Sequence, residues 1–156
     1  MAEIRNIQGL AELDRALHAL PGNIAKNVLR GAVGAGASVI RAEAKQRAPV
    51  ATGQGKDAPP PGTLKRAIYS KQIRELSNFS KQTFFVSVKS GAKHRGAGKK
   101  YLDAWYWRFV EFGTSKMAAR PFLRPAFEAK KTEAIEAIRA YLAKRIPIEA
   151  DKVRGR

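Results

Sequence analysis

The sequence contains no cysteine. That excludes a disulfide framework, thiolate zinc and iron–sulfur centres, and a cysteine nucleophile. Histidine is nearly absent as well, with 2 residues, His18 and His94, and no His or Cys stands at metal-ligand spacing from either. His18 sits beside Leu17 in an amphipathic pattern and His94 in a glycine-rich stretch, so both read as structural or solvated residues. The 13 acidic residues are scattered, which leaves paired-carboxylate catalysis without a home. No long apolar run exists: the least polar stretch, Gly31 to Ile40, is about half of the roughly 20 residues that a membrane span requires. Glu3 and Arg5 are followed by no apolar segment, so no secretory signal is expected, and the chain is expected to act without a membrane, in the cytoplasm where it is made.

What the sequence has in excess is positive charge. Thirty Lys and Arg give a net charge of +17 over 156 residues, with a pI near 10.6. An acidic partner follows, whether nucleic acid, an anionic membrane face or an acidic protein. The hydrophobic share of 44% is too high for a disordered basic tail. The length fits one domain with its own core.

Leu10, Leu13, Leu17 and Leu20 recur at helical spacing and predict a short amphipathic helix ended by Pro21-Gly22. A longer helix is expected from about Asn23, a suitable cap, to Arg47, with Ile24, Val28, Ala35 and Val39 on one stripe. Gly31, Gly34 and Gly36 interrupt it, and each would cost about 1 kcal/mol relative to Ala in an exposed helix. Something therefore packs close to that backbone, either a strand of the same chain or a neighbouring subunit. Pro49 ends the helix, and residues 50–62, rich in Gly and Pro, predict a flexible loop.

Leu64 to Leu76 reads as a helical turn followed by an edge strand, and Thr83 to Ser90 as a strand with Phe84, Val86 and Val88 on one face. A basic glycine-rich loop, residues 91–100, separates it from Trp105 to Phe112, whose aromatic and β-branched run predicts a central strand covered on both sides. Pro125 suits the first position of a final helix, and Pro147 is expected to stop it. Residues 1–148 would form a single domain, with 149–156 a disordered basic tail.

Candidate chemistry is sparse. Ser115, Glu111 and His94 can be drawn as a hydrolytic triad, yet no nucleophile elbow surrounds Ser115. Gly98-Lys99 lacks the rest of a phosphate loop, and Gly34 and Gly36 meet Val39 where a dinucleotide fingerprint needs glycine. No catalytic, cofactor or metal residue is assigned, and the chain is not expected to be an enzyme. The cations Lys89, Lys93, Arg95, Lys99 and Lys100 form the natural contact set for DNA or an acidic partner, or else a solvated surface. The aromatics of 105–112 suit a core better than a base-stacking platform; no helix-turn-helix, zinc-finger or RNA-recognition signature appears, so any nucleic-acid binding would be nonspecific.

The stretch FVEFGTSKMAARPFLRP, Phe109 to Pro125, resembles a signature of the gp-ten-like family of phage HK-ninety-seven, described as tail-component or head–tail connection proteins. The upstream order agrees: an early helix, a long helix ending in Ala48-Pro49, a Thr52-Gly53 loop, then Gly62-Thr63-Leu64 before a β region, so that the likeness extends over roughly residues 8–146. This resemblance implies an α+β virion protein, a small antiparallel β-sheet packed against a long helix of the N-terminal half and a C-terminal helix. It also implies a ring of subunits at the neck, touching connector and tail-tube proteins, with packaged DNA in its channel. Within the signature, Glu111, Arg120, Arg124 and Phe122 are the candidate interface or turn-pinning residues: Glu111 could pair with an arginine of a neighbouring subunit, or pin its own turn through Arg120. The rival function is nonspecific nucleic-acid binding through the basic surface.

Overall fold

The computed structural model describes residues 9–51, 59–91 and 103–155. Its frame is a pair of long antiparallel helices, α2 (Gly22–Arg47) and α5 (Leu123–Arg154). At the rise of an α-helix these are about 39 and 48 Å long. A short helix α1 (Leu10–His18) lies against one end of the pair. The other end carries a helical turn α3 (Thr63–Ala67), a two-stranded antiparallel sheet of β1 (Ile68–Gln72) and β2 (Phe84–Val88), and a six-residue helix α4 (Trp107–Phe112). The architecture is α+β, with the small sheet against both the long N-terminal-half helix and the C-terminal region, as the sequence predicts.

The glycines of α2 explain the central helix pair. A Cβ on Gly31 would overlap the phenol of Tyr141, and one on Gly36 would stand 2.8 Å from Ile138 Cγ1 and 3.0 Å from the carbonyl oxygen of Ala134. The close neighbour is thus α5 of the same chain, rather than a strand or a second subunit at these two positions. The buried face of α2 continues the theme with Ala25, Ala32, Ala37 and Ala44, small side chains that let two backbones approach. Two cores result. One joins Leu17, Leu20, Val28, Leu142 and Ile146 where α1 covers the pair; the other gathers Ala44, Leu64, Ile68, Val88, Phe122 and Ala126 beneath the sheet.

The helical turn and edge strand expected between Leu64 and Leu76 are α3 and β1. Register pairs Ile68 with Val88 and Gln72 with Phe84, which sends Ile68 and Val88 into the core together. The connection is fixed by side chains: Asn78 Oδ1 accepts from the amides of Ser80 and Lys81, and Ser77 Oγ accepts from the amide of Thr83.

Two expectations fail for identifiable reasons. Trp105 to Phe112 is not a central strand; residues 107–112 are helical, and Trp105, Phe109 and Phe112 are exposed. Among the described residues the sheet has two strands, and the segment's backbone turns Tyr106, Trp107 and Val110 onto the core while Trp105, Phe109 and Phe112 face outward. Pro147 also does not end α5, which runs on to Arg154 and makes helix of most of the expected tail. Leu142, Ile146 and Ala150 keep the packed stripe going past the proline. Pro147 and Ala143, whose carbonyl loses its partner, are both exposed, so water can serve that oxygen. The loop at 50–62 is described only at its ends, and there Thr63 Oγ1 donates to the Pro60 carbonyl.

Candidate functional site

The segment from α4 to the head of α5 is the most constrained part of the surface. Gly113 leaves α4 with φ 76°, and a Cβ there would come within 2.9 Å of the Ala119 amide nitrogen, so the position requires glycine. Thr114 and Met117 then bond each other's backbone at 2.9 and 3.3 Å, closing a tight turn. The chain returns along α4, where the Arg120 amide donates to the Val110 carbonyl at 2.8 Å.

Glu111 anchors the next step. It is 7% exposed, and its carboxylate accepts from the backbone amides of Phe122 (2.8 Å), Leu123 (3.1 Å) and Arg124 (3.1 Å). A helix leaves its first four N–H groups without intrahelical partners. Here three of them go to Glu111, and the fourth residue is Pro125, which has no N–H. The Ala126 amide, next in line, reaches the Phe122 carbonyl at 3.3 Å. A carboxylate from the preceding helix thus caps α5 completely, and its negative charge complements the positive end of the helix dipole. Pro125 occupies the third helical position rather than the first.

The predicted residues separate accordingly. Glu111 takes backbone amides and not a guanidinium. Arg120 and Arg124 are exposed, with side chains free of ion pairs among the described residues. Phe122 is 0% exposed and belongs to the core, so it is not a surface for a partner. Ser115 lies exposed in the turn, away from the buried carboxylate of Glu111, whose oxygens are occupied by α5. Lys89 is half-buried, its ammonium 5.9 Å from the centroid of the Tyr69 ring. Lys93, Arg95, Lys99, Lys100 and His94 lie outside the described residues.

The two ends of that basic stretch are nevertheless fixed. Buried Asp103 accepts from the Gly91 amide at 2.9 Å, and the Ala104 amide donates to the Lys89 carbonyl at 3.1 Å. Gly91 and Asp103 are therefore held side by side. Nearby, burial raises the Tyr106 hydroxyl above its ordinary pKa, with a hydrogen bond to the Leu64 backbone acting more weakly in the other direction.

Sequence reasoning missed Asp103 and the amide-capping role of Glu111. The signal for the second was present: a lone acid in an apolar run, eleven residues before a helix whose own N-terminus, Phe122-Leu123-Arg124-Pro125, offers no Ser, Thr, Asp or Asn to cap it.

Among the described residues no group of three His, Cys, Asp or Glu side chains could hold a metal, and no helix is long and apolar enough to cross a membrane. Shallow depressions of the described surface include one beside Lys71, Arg74 and Phe85 and one between α2 and α5 at Glu43, Gln46 and Glu133. Neither gathers a nucleophile, a base and an orienting group.

No curated protein and no solved structure matches the chain. A family model described as "Bacteriophage HK97-gp10, putative tail-component" matches residues 11–113, from α1 through the end of α4. The run Met117 to Pro125, which carries much of the resemblance read from the sequence, lies beyond that match. With two thirds of its length matched, the chain belongs to the HK97-gp10-like family of bacteriophage tail components.

Proposed function

We propose that the chain is a non-catalytic structural protein of the virion, made in the host cytoplasm and incorporated at the head–tail junction as a ring that joins head to tail. The observation that carries this reading is the family match, which spans both the helix pair's first member and the sheet. The architecture is consistent with it: its polar side chains are spent on holding backbone, as at Glu111 and Asp103, rather than on converging in a cleft. A ring needs repeated heterologous contacts that close on themselves, and neighbouring connector and tail-tube proteins would supply the axial contacts. The charge of +17 favours a second role for the same ring, contact with packaged DNA in the channel.

Electron microscopy of particles made when the gene is disrupted in its phage, with a complemented control, tests the placement. Filled heads and separate tails that rejoin on complementation are expected. Normal infectious particles would overturn the junction role.

A further inference from the structure

The exposed face of α4 and the turn behind it combine two features that rarely coincide on a surface left to water. Phe109 (46% exposed) and Phe112 (75%) stand at i and i+3 on α4, and Trp105 (56%), two residues before the helix, packs on Phe109, so the three form one aromatic ridge. The Trp105 and Phe109 rings meet edge to face, centroids 5.9 Å apart and planes at 82°. The same segment carries four exposed cations. Arg108 lies on α4 with its guanidinium 5.5 Å from the Trp107 ring centroid, Lys116 is in the turn, and Arg120 and Arg124 follow on backbone that is bonded to Val110 and Glu111 of α4. No exposed acid lies between residues 103 and 127. The two acids there, Asp103 and Glu111, are buried and bonded to backbone amides.

Aromatic and Arg side chains are the types enriched at the centres of protein interfaces, where apolar anchors are desolvated within a charged rim. We propose that the α4 ridge is a docking face for an acidic protein partner, specifically a segment that sets apolar side chains against Trp105, Phe109 and Phe112 and carboxylates against Arg120, Arg124 and Lys116. Charge decides among occupants. A second copy of this chain presenting the same face would set Arg108, Lys116, Arg120 and Arg124 against their own copies, and a ring neighbour presenting another face would have to draw an acidic patch from 13 acids set among 30 cations. A single nucleic-acid strand would need ring faces open in succession, whereas Trp105 is packed edge to face against both Tyr106 and Phe109. This inference rests on the virion reading and deepens it by naming the chemistry of one neighbour.

The test is site-specific photocrosslinking with p-benzoylphenylalanine in place of Phe112, in infected cells that depend on the full-length variant for the protein. The same group in place of Phe79, an exposed aromatic outside this face, is the control. The expected result is an adduct at position 112, absent at 79, whose partner peptide is rich in Asp or Glu interleaved with apolar residues. Adding Lys116→Gln, Arg120→Gln and Arg124→Gln should cut its yield by about tenfold, the scale on which lost rim charges act together. An adduct to a second copy of the chain, to DNA, or to a partner segment without acids overturns the proposal. Equal yields at 112 and 79, or a yield that ignores the three substitutions, also overturn it. Mass spectrometry of purified particles from the same cells reads the virion role separately: the chain's absence from particles refutes that role, while the adduct still decides the docking face.

Discussion

Gly34 and Gly36 allow helix propensity to be separated from helix–helix contact with two chemically identical substitutions in one helix. Gly→Ala in the interior of α2 gains about 1 kcal/mol by restricting the unfolded chain and favouring the helix. At Gly34 the new methyl would lie 3.6 Å from the Phe84 ring, ordinary van der Waals contact, so the gain survives. Gly34→Ala should therefore raise Tm by about 2–4 °C for a domain of this size. At Gly36 the same methyl would stand 2.8 Å from Ile138 Cγ1 and Cδ1 and 3.0 Å from the Ala134 carbonyl oxygen. Ile138 can rotate aside, but the carbonyl is fixed in the backbone of α5, so the helices must part along a shared interface. Overpacking of that kind costs about 1–3 kcal/mol. Because the propensity gain is common to both variants, their difference isolates the contact cost, again about 1–3 kcal/mol, or roughly 2–12 °C in Tm. Thermal unfolding followed by circular dichroism, with urea titrations to check that m is unchanged, measures it. A Gly36→Ala variant as stable as Gly34→Ala would refute the close approach of α2 and α5.

Three further outcomes follow from the site. Glu111→Ala strands three amides at the head of α5 and should cost about 1.5–3 kcal/mol, whereas Arg120→Gln and Arg124→Gln should each stay within about 0.5 kcal/mol; urea midpoints that fall equally for all three would restore a carboxylate–guanidinium pair. Tyr106 ionises above its ordinary value in the folded state, so the stability tied to its neutral form is complete below pH 10.0, the unfolded value, and is lost as pH rises through the folded one. Absorbance at 295 nm should show a late-titrating tyrosine that disappears in Tyr106→Phe, and the variant's stability should fall less between those two pKa values. If the protein touches DNA through the basic stretch, replacing Lys93, Arg95, Lys99 and Lys100 by Gln should lower the slope of log K against log salt for random duplex by up to ~3.6, at about 0.9 per phosphate contact; an unchanged slope removes those four residues from DNA contact.

The long elements were legible because their signals were strong and local. Apolar spacing gave α1 and α2, and alternation gave β2. The glycines of α2 pointed to a close neighbour, although only the structure identifies α5 as that neighbour, since nothing local says which distant segment fills a shallow groove. At Pro147 the local rule fails because packing outweighs it. A proline inside a helix costs about 3 kcal/mol when nothing else holds the helix. Here Leu142, Ile146 and Ala150 pack on both sides of it, and Glu149 accepts from Arg145 at 2.9 Å and from Lys152 at 3.2 Å.

Residues 105–112 mark the limit of pattern reading. A run apolar at nearly every position satisfies a covered strand and a short helix equally, because both periods find apolar residues wherever they look. The one discriminating residue was Glu111. In a strand it would share a face with Trp105, Trp107 and Phe109, leaving a carboxylate inside an aromatic layer with only indole N–H groups as donors. In the helix it turns toward the first amides of α5, where three N–H groups need an acceptor. The same turn of the backbone that satisfies Glu111 also moves Trp105, Phe109 and Phe112 from a supposed core to the surface. The buried acid and the exposed aromatic ridge are thus one fact seen from two sides. A carboxylate that must meet the head of the next helix fixes how α4 is rotated, and that rotation selects which aromatics remain for a partner.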